Sequence, residues 1–516
     1  MKKRSANQAR QNSLKASGAV MAVIFVSKAF GMVRDVIQAQ YFGRGAEADA
    51  FVSAYMIFYL PILLFSSCIS SALIPMYIRA RKRVGDRKAD RFASNVINAF
   101  AFFALIISGV MMMFTSPLLR LFAPGFAPGT IALAADLTRI MMPSLAFVVV
   151  SLLLSSILNA REHYIAAQLT GFPLSACVII STVLFAPRYG IYAVAWGVFA
   201  AGIFQALVQM PPLRKRFRYT FMLKFGDKNL KKLIILAVPA IMSMAVNELN
   251  HMIGNALASG LGEGAVSALT YAYKVITMII GIIVVPLVTI MFSKMSMRVS
   301  EVGSKGVIPN IRRSLELLAA VLLPIIAVCA VFSRDIVTVM FMRGAFTLHD
   351  AYVTGDVFLF YVVGVLAFAY RDALNRAFHA VQDTRTPMSN AFYTMLINVA
   401  LSVALRPLMG VNGLALSTSI ASVIGTAMLL VRLRKHTGRM GLKTTASELL
   451  KVGIAAALCA YVCLALNRFV PAADGQFGVF LRAAGCSAVA LIAYAMALFV
   501  LGSKQLNFIT RRFRET

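Results

Sequence analysis

The sequence predicts an all-α, polytopic membrane protein of about 14 transmembrane helices, two six-helix lobes in pseudo-twofold repeat followed by two C-terminal helices. Three observations carry this prediction. Of 516 residues, 59% are apolar and 14% charged. A soluble domain has about 45–50% and about a quarter, so too little polar surface exists here to solvate a globule, a disordered chain or a coiled coil. Apolar windows of about 20 residues, enough to cross roughly 30 Å of hydrocarbon, recur along the whole chain. Finally, Lys and Arg gather in short runs between those windows, and the runs alternate in strength.

In chain order the windows are 17–42, 50–78, 93–116, 132–158, 165–187, 190–212, 233–258, 264–293, 314–333, 350–380, 388–405, 409–431, 445–467 and 477–502. Lys2, Lys3 and Arg4 ahead of the first window imitate a signal peptide. Lys28 interrupts that window, however, and no small-x-small site follows, so it reads as a retained span. Alternate connections, starting with the N-terminal segment, hold 36 basic residues, whereas the opposite set holds 7: Arg44, Arg120, Arg188, Arg334, Arg343, Arg406 and Arg468. Basic residues stay on the cytoplasmic side, so both termini are expected there. This topological reading also accounts for the net charge of +31 without nucleic acid.

An internal repeat sets the organisation. Phe42-Gly43-Arg44-Gly45-Ala46-Glu47-Ala48 is echoed by Ser259-Gly260-Leu261-Gly262-Glu263-Gly264-Ala265, with the glycines 217 residues apart. Gly125 within FAPGF matches Gly344 within FMRGAF at 219, and Leu158-Asn159 matches Leu374-Asn375 at 216. Each repeat holds six helices, an even number, so the halves enter and leave on one side, related by an axis along the membrane normal. The expected divisions are 1–212 (helices 1–6), 213–434 (helices 7–12) and 435–516 (helices 13 and 14 with a cytoplasmic tail).

Signatures of enzymes are missing: no GxxxxGK[ST], HExxH or GxSxG occurs, so neither catalysis nor ATP-driven transport by this chain alone is expected, nor a cofactor or metal. The five histidines are scattered. Six cysteines (Cys68, Cys177, Cys329, Cys459, Cys463, Cys486) lie in apolar windows without CxxC spacing and read as small core residues.

The charges inside the windows are the candidate site. Lys28 lies eleven residues beyond Ser17, about 17 Å at 1.5 Å per residue, which is the bilayer centre; Arg34 and Asp35 follow in the outer half. A central charge costs about 2.5–3.5 kcal/mol on insertion, so such residues face a cavity or a partner. Lys28 and Asp35, seven apart, share a helix face, so either a Lys28–Asp35 or an Arg34–Asp35 pair is open, beside a water-filled site that contacts substrate. Lys274 reaches similar depth in the other repeat, and two midplane cations fit an anion site between repeats. Asn247, Glu248 and Asn250 put polar groups at mid-depth in helix 7, suited to a coupling ion or an internal ion pair. Arg371, Asp372, Asn375 and Arg376 at the cytoplasmic end of helix 10 read as snorkelling and capping.

The run Ser27-Lys28-Ala29-Phe30-Gly31-Met32-Val33-Arg34-Asp35, with Tyr41-Phe42-Gly43 and Ala48-Asp49-Ala50-Phe51, resembles the first-helix signature of the MurJ (MviN) family of lipid II flippases. FAPGF at 122–126 and Gln382-Asp383-Thr384-Arg385-Thr386-Pro387 resemble that family's later landmarks. The resemblance implies the fold of the multidrug/oligosaccharidyl-lipid/polysaccharide superfamily and a bacterial inner-membrane transporter that moves lipid II outward by alternating access. It puts Arg34, Asp35 and Asp49 on functional positions, and Lys28 and Lys274 where many members have Arg. Residues 51–78 hold no arginine, where members often carry one. Implied partners are the polyprenyl-diphosphate glycolipid, membrane lipids and the cell-wall synthesis machinery. A related glycan lipid is an alternative substrate. A drug/cation antiporter would need mid-depth carboxylates, and a cell-wall scaffold no mid-membrane cations.

Overall fold

The computed structural model describes residues 2–214, 217–303, 306–438, 442–471 and 475–503. Among them it is helical without a strand. In the first compact unit, Met1–Gly264, α1 is Lys2–Phe42, α2 Ala46–Cys68, α3 Asp86–Met113, α4 Pro128–Ala160, α5 Tyr164–Tyr189, α6 Tyr192–Arg214 and α7 Lys228–Ser259. In the second, Ala265–Thr516, α8 is Ala265–Glu301, α9 Val307–Val331 and α10 the pair Leu348–Val362 and Val365–Ala380, bent by 45°. The arms of Arg385–Thr437 on either side of Gly410 are α11 and α12; Leu442–Phe469 is α13 and Gly475–Val500 is α14.

Ten helices among the described residues are long and apolar enough to cross a membrane, eleven with the bent α10 counted once. One of these, Arg385–Lys435, runs 51 residues, about 77 Å at 1.5 Å per residue, far beyond one bilayer crossing. It breaks at Gly410, whose φ of 57° and ψ of −133° suit only glycine, so the α11–α12 connection is a kink between helices. With α1 and α7 the set is consistent with the fourteen windows. The first compact unit runs to Gly264 and includes α7, which the repeat groups with the second half.

Several boundaries differ from the apolar windows. The backbone of α1 is already helical at Lys2, because Lys, Arg, Gln and Ala are good helix formers even where they cannot enter hydrocarbon. Helix α2 begins at Ala46 after Gly45, with Glu47 and Asp49 in the first turn, where acidic groups meet the positive end of the helix dipole. Its window does not run straight to 78: the chain widens into a π-helical turn at Ile69–Leu73 and continues as the amphipathic Ile74–Val84, anchored by buried Tyr77.

Each unit repeats the other's local devices. The turns ending α4 and α10 have the same left-handed, non-glycine residue, Glu162 (φ 65°) and Gln382 (φ 62°), 220 positions apart. Their closing bonds match: His163 N to Leu158 O at 2.9 Å and Asp383 N to Phe378 O at 3.0 Å. The break at Met142–Ser144 in α4 recurs as the bend of α10, the short Thr115–Phe122 helix as Ser333–Phe341, and the π-helical turn as Ile280–Val284.

In the first unit α4 is central, with Leu137, Met141, Leu145, Val149 and Leu153 fully buried among α2, α3 and α6. In the second, α13 and α14 join through Cys459, Cys463, Cys486 and Ala490 and dock on α9, where Tyr494 donates to Ala320 O at 2.8 Å. Arg482 of α14 is paired with Asp335 at 2.7 Å.

Candidate functional site

Helix α1 is seated on α5. Ser27 approaches Gly171 so closely that a Cβ there would meet its Oγ, Phe30 lies 6.2 Å from Phe172 between ring centroids, and Gly31 faces Ser175. Lys28 points away from this seam, exposed and without an ion pair among the described residues. Arg34 folds back onto its neighbour: Nε and Nη2 donate to Asp35 Oδ1 at 3.2 and 3.0 Å. Their side chains retain 20% and 8% exposure. Of the two pairings that the spacing leaves open, Arg34–Asp35 is therefore the one formed, and Lys28 has no carboxylate partner among the described residues.

Asp49, 1% exposed, does different work. Its Oδ2 accepts from Gly264 N at 2.8 Å, while Arg44 Nη1 donates to Gly264 O at 3.3 Å. The two glycine-rich echoes thus clasp each other directly. A third connection joins them: Gly125 N donates to Ser259 Oγ at 3.1 Å, and a Cβ on Gly125 would lie 2.3 Å from Gly260 Cα. From the sequence alone Arg44 is only a loop charge. The glycine spacing was the available signal, but which loops meet depends on tertiary packing.

On α7, Glu248 is half-buried and within electrostatic reach of Tyr59 on α2, and Asn255 donates to Met56 Sδ at 3.3 Å. Asn250 is half-buried on the same helix; the side chain of Asn247, like the basic tail after Ser503, lies outside the described residues. In the second unit, Lys274 on α8 holds its ammonium 5.5 Å from the centroid of Tyr271, itself packed on Phe341 and Phe346. Such a cation–π contact offsets part of the cost of holding a cation beside apolar rings. Arg371 of α10 makes the same kind of contact with Phe368 at 5.8 Å.

A further cluster ties the ends of α3 and α4 together. Arg161, counted from sequence only as a loop charge, donates to Asp90 Oδ1 at 2.6 Å and to Tyr77 Oη at 2.8 Å, and Tyr77 donates to Asp90 Oδ1 at 2.7 Å. Desolvation by burial, then the hydrogen bond to Asp90, push the Tyr77 phenol above its ordinary range, so it remains a donor.

A family model described as "Lipid II flippase MurJ" matches residues 38–484. Among curated relatives, a probable lipid II flippase MurJ of Rhizobium meliloti is 29% identical over 502 residues, 94% of this chain and 93% of its own. One from Rhizobium tropici is 27% identical over 506 residues, covering 95% and 94%. Among solved structures, lipid II flippase MurJ in an inward closed conformation superposes with a TM-score of 0.80 at 26% identity, over 93% of this chain and 99% of that one. An inward-facing MATE family multidrug transporter of the MOP superfamily superposes at 0.70 with 14% identity, over 82% and 99%, a likeness of fold alone.

Proposed function

The chain belongs to the lipid II flippase MurJ family, and from that premise we propose that it moves lipid II from the cytoplasmic to the outer leaflet of a bacterial inner membrane, making and breaking no bond. The observation that carries this reading is the family match over 38–484, supported by a first helix whose mid-depth charge is a cation. Lys28 and Lys274 offer ammonium groups to the diphosphate and sugar, each in its own unit. Arg34 contributes a guanidinium whose direction is fixed by Asp35. Asp49 acts through the glycine loops, holding together the two turns that follow the first helix of each repeat. Glu248, Asn247 and Asn250 supply further polar surface along α7. The polyprenyl tail stays in lipid, and rocking of the two halves exposes the headgroup first inward and then outward. Both termini lie in the cytoplasm, following the 36-to-7 distribution of basic residues, and the product emerges where cell-wall synthesis takes it up.

The driving force follows from charge. An anionic diphosphate moving outward across an inside-negative membrane goes downhill by about 2.3 kcal/mol per charge per 100 mV, and an emptied cationic site returns downhill as well. Purified protein in vesicles, given labelled lipid II beside a cationic dye, should translocate the lipid and leave the dye. Dye movement without lipid movement would instead assign the chain to the drug-transporting branch, to which its likeness is of fold only.

A further inference from the structure

The connection from α6 to α7 is strapped onto α3. Arg218 N donates to Asp90 Oδ2 at 3.0 Å, Thr220 N to Ser94 Oγ at 3.1 Å and Lys224 N to Asn95 Oδ1 at 2.7 Å. Asn95 Nδ2 returns a bond to Lys224 O at 3.1 Å, and Asn98 Nδ2 donates to Met222 O at 2.9 Å. The backbone of even-numbered residues faces the helix, the period of an extended chain.

The odd-numbered residues are Tyr219, Phe221, Leu223 and Phe225. All four are exposed, Phe221 by 79%. Phe225 packs against Phe102 and Phe103 with tilted and edge-on ring contacts, 5.4 and 5.7 Å between centroids, two exposed rings in the apolar stretch of α3. The strap's apolar face is thus continuous with the lipid-facing surface of the bundle. Around it Arg214, Arg218, Lys224, Lys228, Lys231 and Lys232 are exposed, and the sole acid between 213 and 232, Asp227, caps α7 by accepting from Asn229 N at 2.8 Å. The strap lies level with residues 90–98, where the basic run 79–92 gives way to the apolar window. That is headgroup depth, where amphipathic aromatic rings collect.

We propose that this strap is an interfacial anchor that binds anionic phospholipid of the cytoplasmic leaflet, with Phe221, Leu223 and Phe225 among the acyl chains and Arg218 and Lys224 on headgroup phosphates. An exposed run of aromatic and aliphatic side chains flanked by Arg218 and Lys224, continuous with an apolar helix face, fits a lipid surface better than water or a soluble partner. The anchor rests on the inward placement of the basic connections proposed above.

Trp196 is the sole tryptophan, so Trp196→Phe with Phe221→Trp gives a single reporter on the strap. In reconstituted vesicles its emission should be blue-shifted and quenched by lipids brominated near the headgroup end of the chain more than by those brominated near the methyl end. Brominated phosphatidylglycerol should quench more than brominated phosphatidylcholine at equal mole fraction. That preference should fall about five-fold for each of Arg218→Gln and Lys224→Gln and should vanish in high salt. A water-like, unquenched emission overturns the proposal, as does equal quenching by the two lipids, or shielding that needs added cell extract. So does labelling of Thr220→Cys by an impermeant maleimide in intact cells. Lipid II flipping is no part of these readouts, so their failure leaves the transport reading where it stood.

Discussion

Lys28 and Arg34 lie six residues apart on one helix, and their surroundings separate what each does. Arg34 shares its charge with Asp35, and removing either partner takes that ion pair from the other in a largely buried place. With Arg34 keeping 20% exposure, Asp35→Ala or Arg34→Ala should cost about 1–3 kcal/mol, below the full penalty of a buried pair. Membrane abundance should fall in each and recover in the double variant. Lys28→Ala removes no partner, so the protein should accumulate normally while lipid II flipping is lost, and Lys28→Arg should be tolerated because the guanidinium fork suits a diphosphate at least as well. A Lys28→Ala protein that flips at the normal rate would remove Lys28 from the site. Reading this division from sequence was out of reach, because both pairings satisfied the helical spacing and only the folding back of Arg34 distinguishes them.

Between elements, the glycine loops and the Arg161 cluster fix where helices start and stop. Gly125→Ala would drive a methyl group to 2.3 Å from backbone at Gly260, where no side chain can yield, so the variant should show sharply reduced membrane abundance. Gly129→Ala, with open space around the position, should not. Arg161→Ala leaves Asp90, 2% exposed, without its cation. That should destabilise by about 3 kcal/mol, seen as an earlier thermal unfolding of the purified protein, and Arg161→Lys should rescue it poorly, since one ammonium cannot span Tyr77 and Asp90 as two guanidinium nitrogens do. Hydropathy made each helix window legible, because crossing a bilayer demands length and apolarity that leave a plain trace. The strap on α3, the π-helical turns and the kink at Gly410 left little, since each depends on hydrogen bonds or packing with chain far away in sequence.

For the whole molecule, the repeat was legible from three short echoes, and the structure extends it to paired turns, breaks and short helices that sequence identity does not preserve. Backbone geometry at Glu162 and Gln382 is retained although the side chains differ, because a cap constrains φ and ψ more tightly than residue type. Reporter fusions after Arg216 and after Thr516 should read cytoplasm and one after Gly262 the outside; a periplasmic C-terminus would contradict the fourteen-span reading. In the proposed cycle, cations carry an anionic headgroup outward on the membrane potential. The most direct measurement is the initial rate of lipid II translocation by the purified protein in vesicles whose potential is set by a potassium gradient and valinomycin, with proton and sodium gradients held at zero. The rate should rise as the side bearing the protein's cytoplasmic face is made more negative, and translocation should stop when the potential is collapsed. A rate indifferent to potential, restored only by a proton or sodium gradient and abolished by Glu248→Gln, would contradict it.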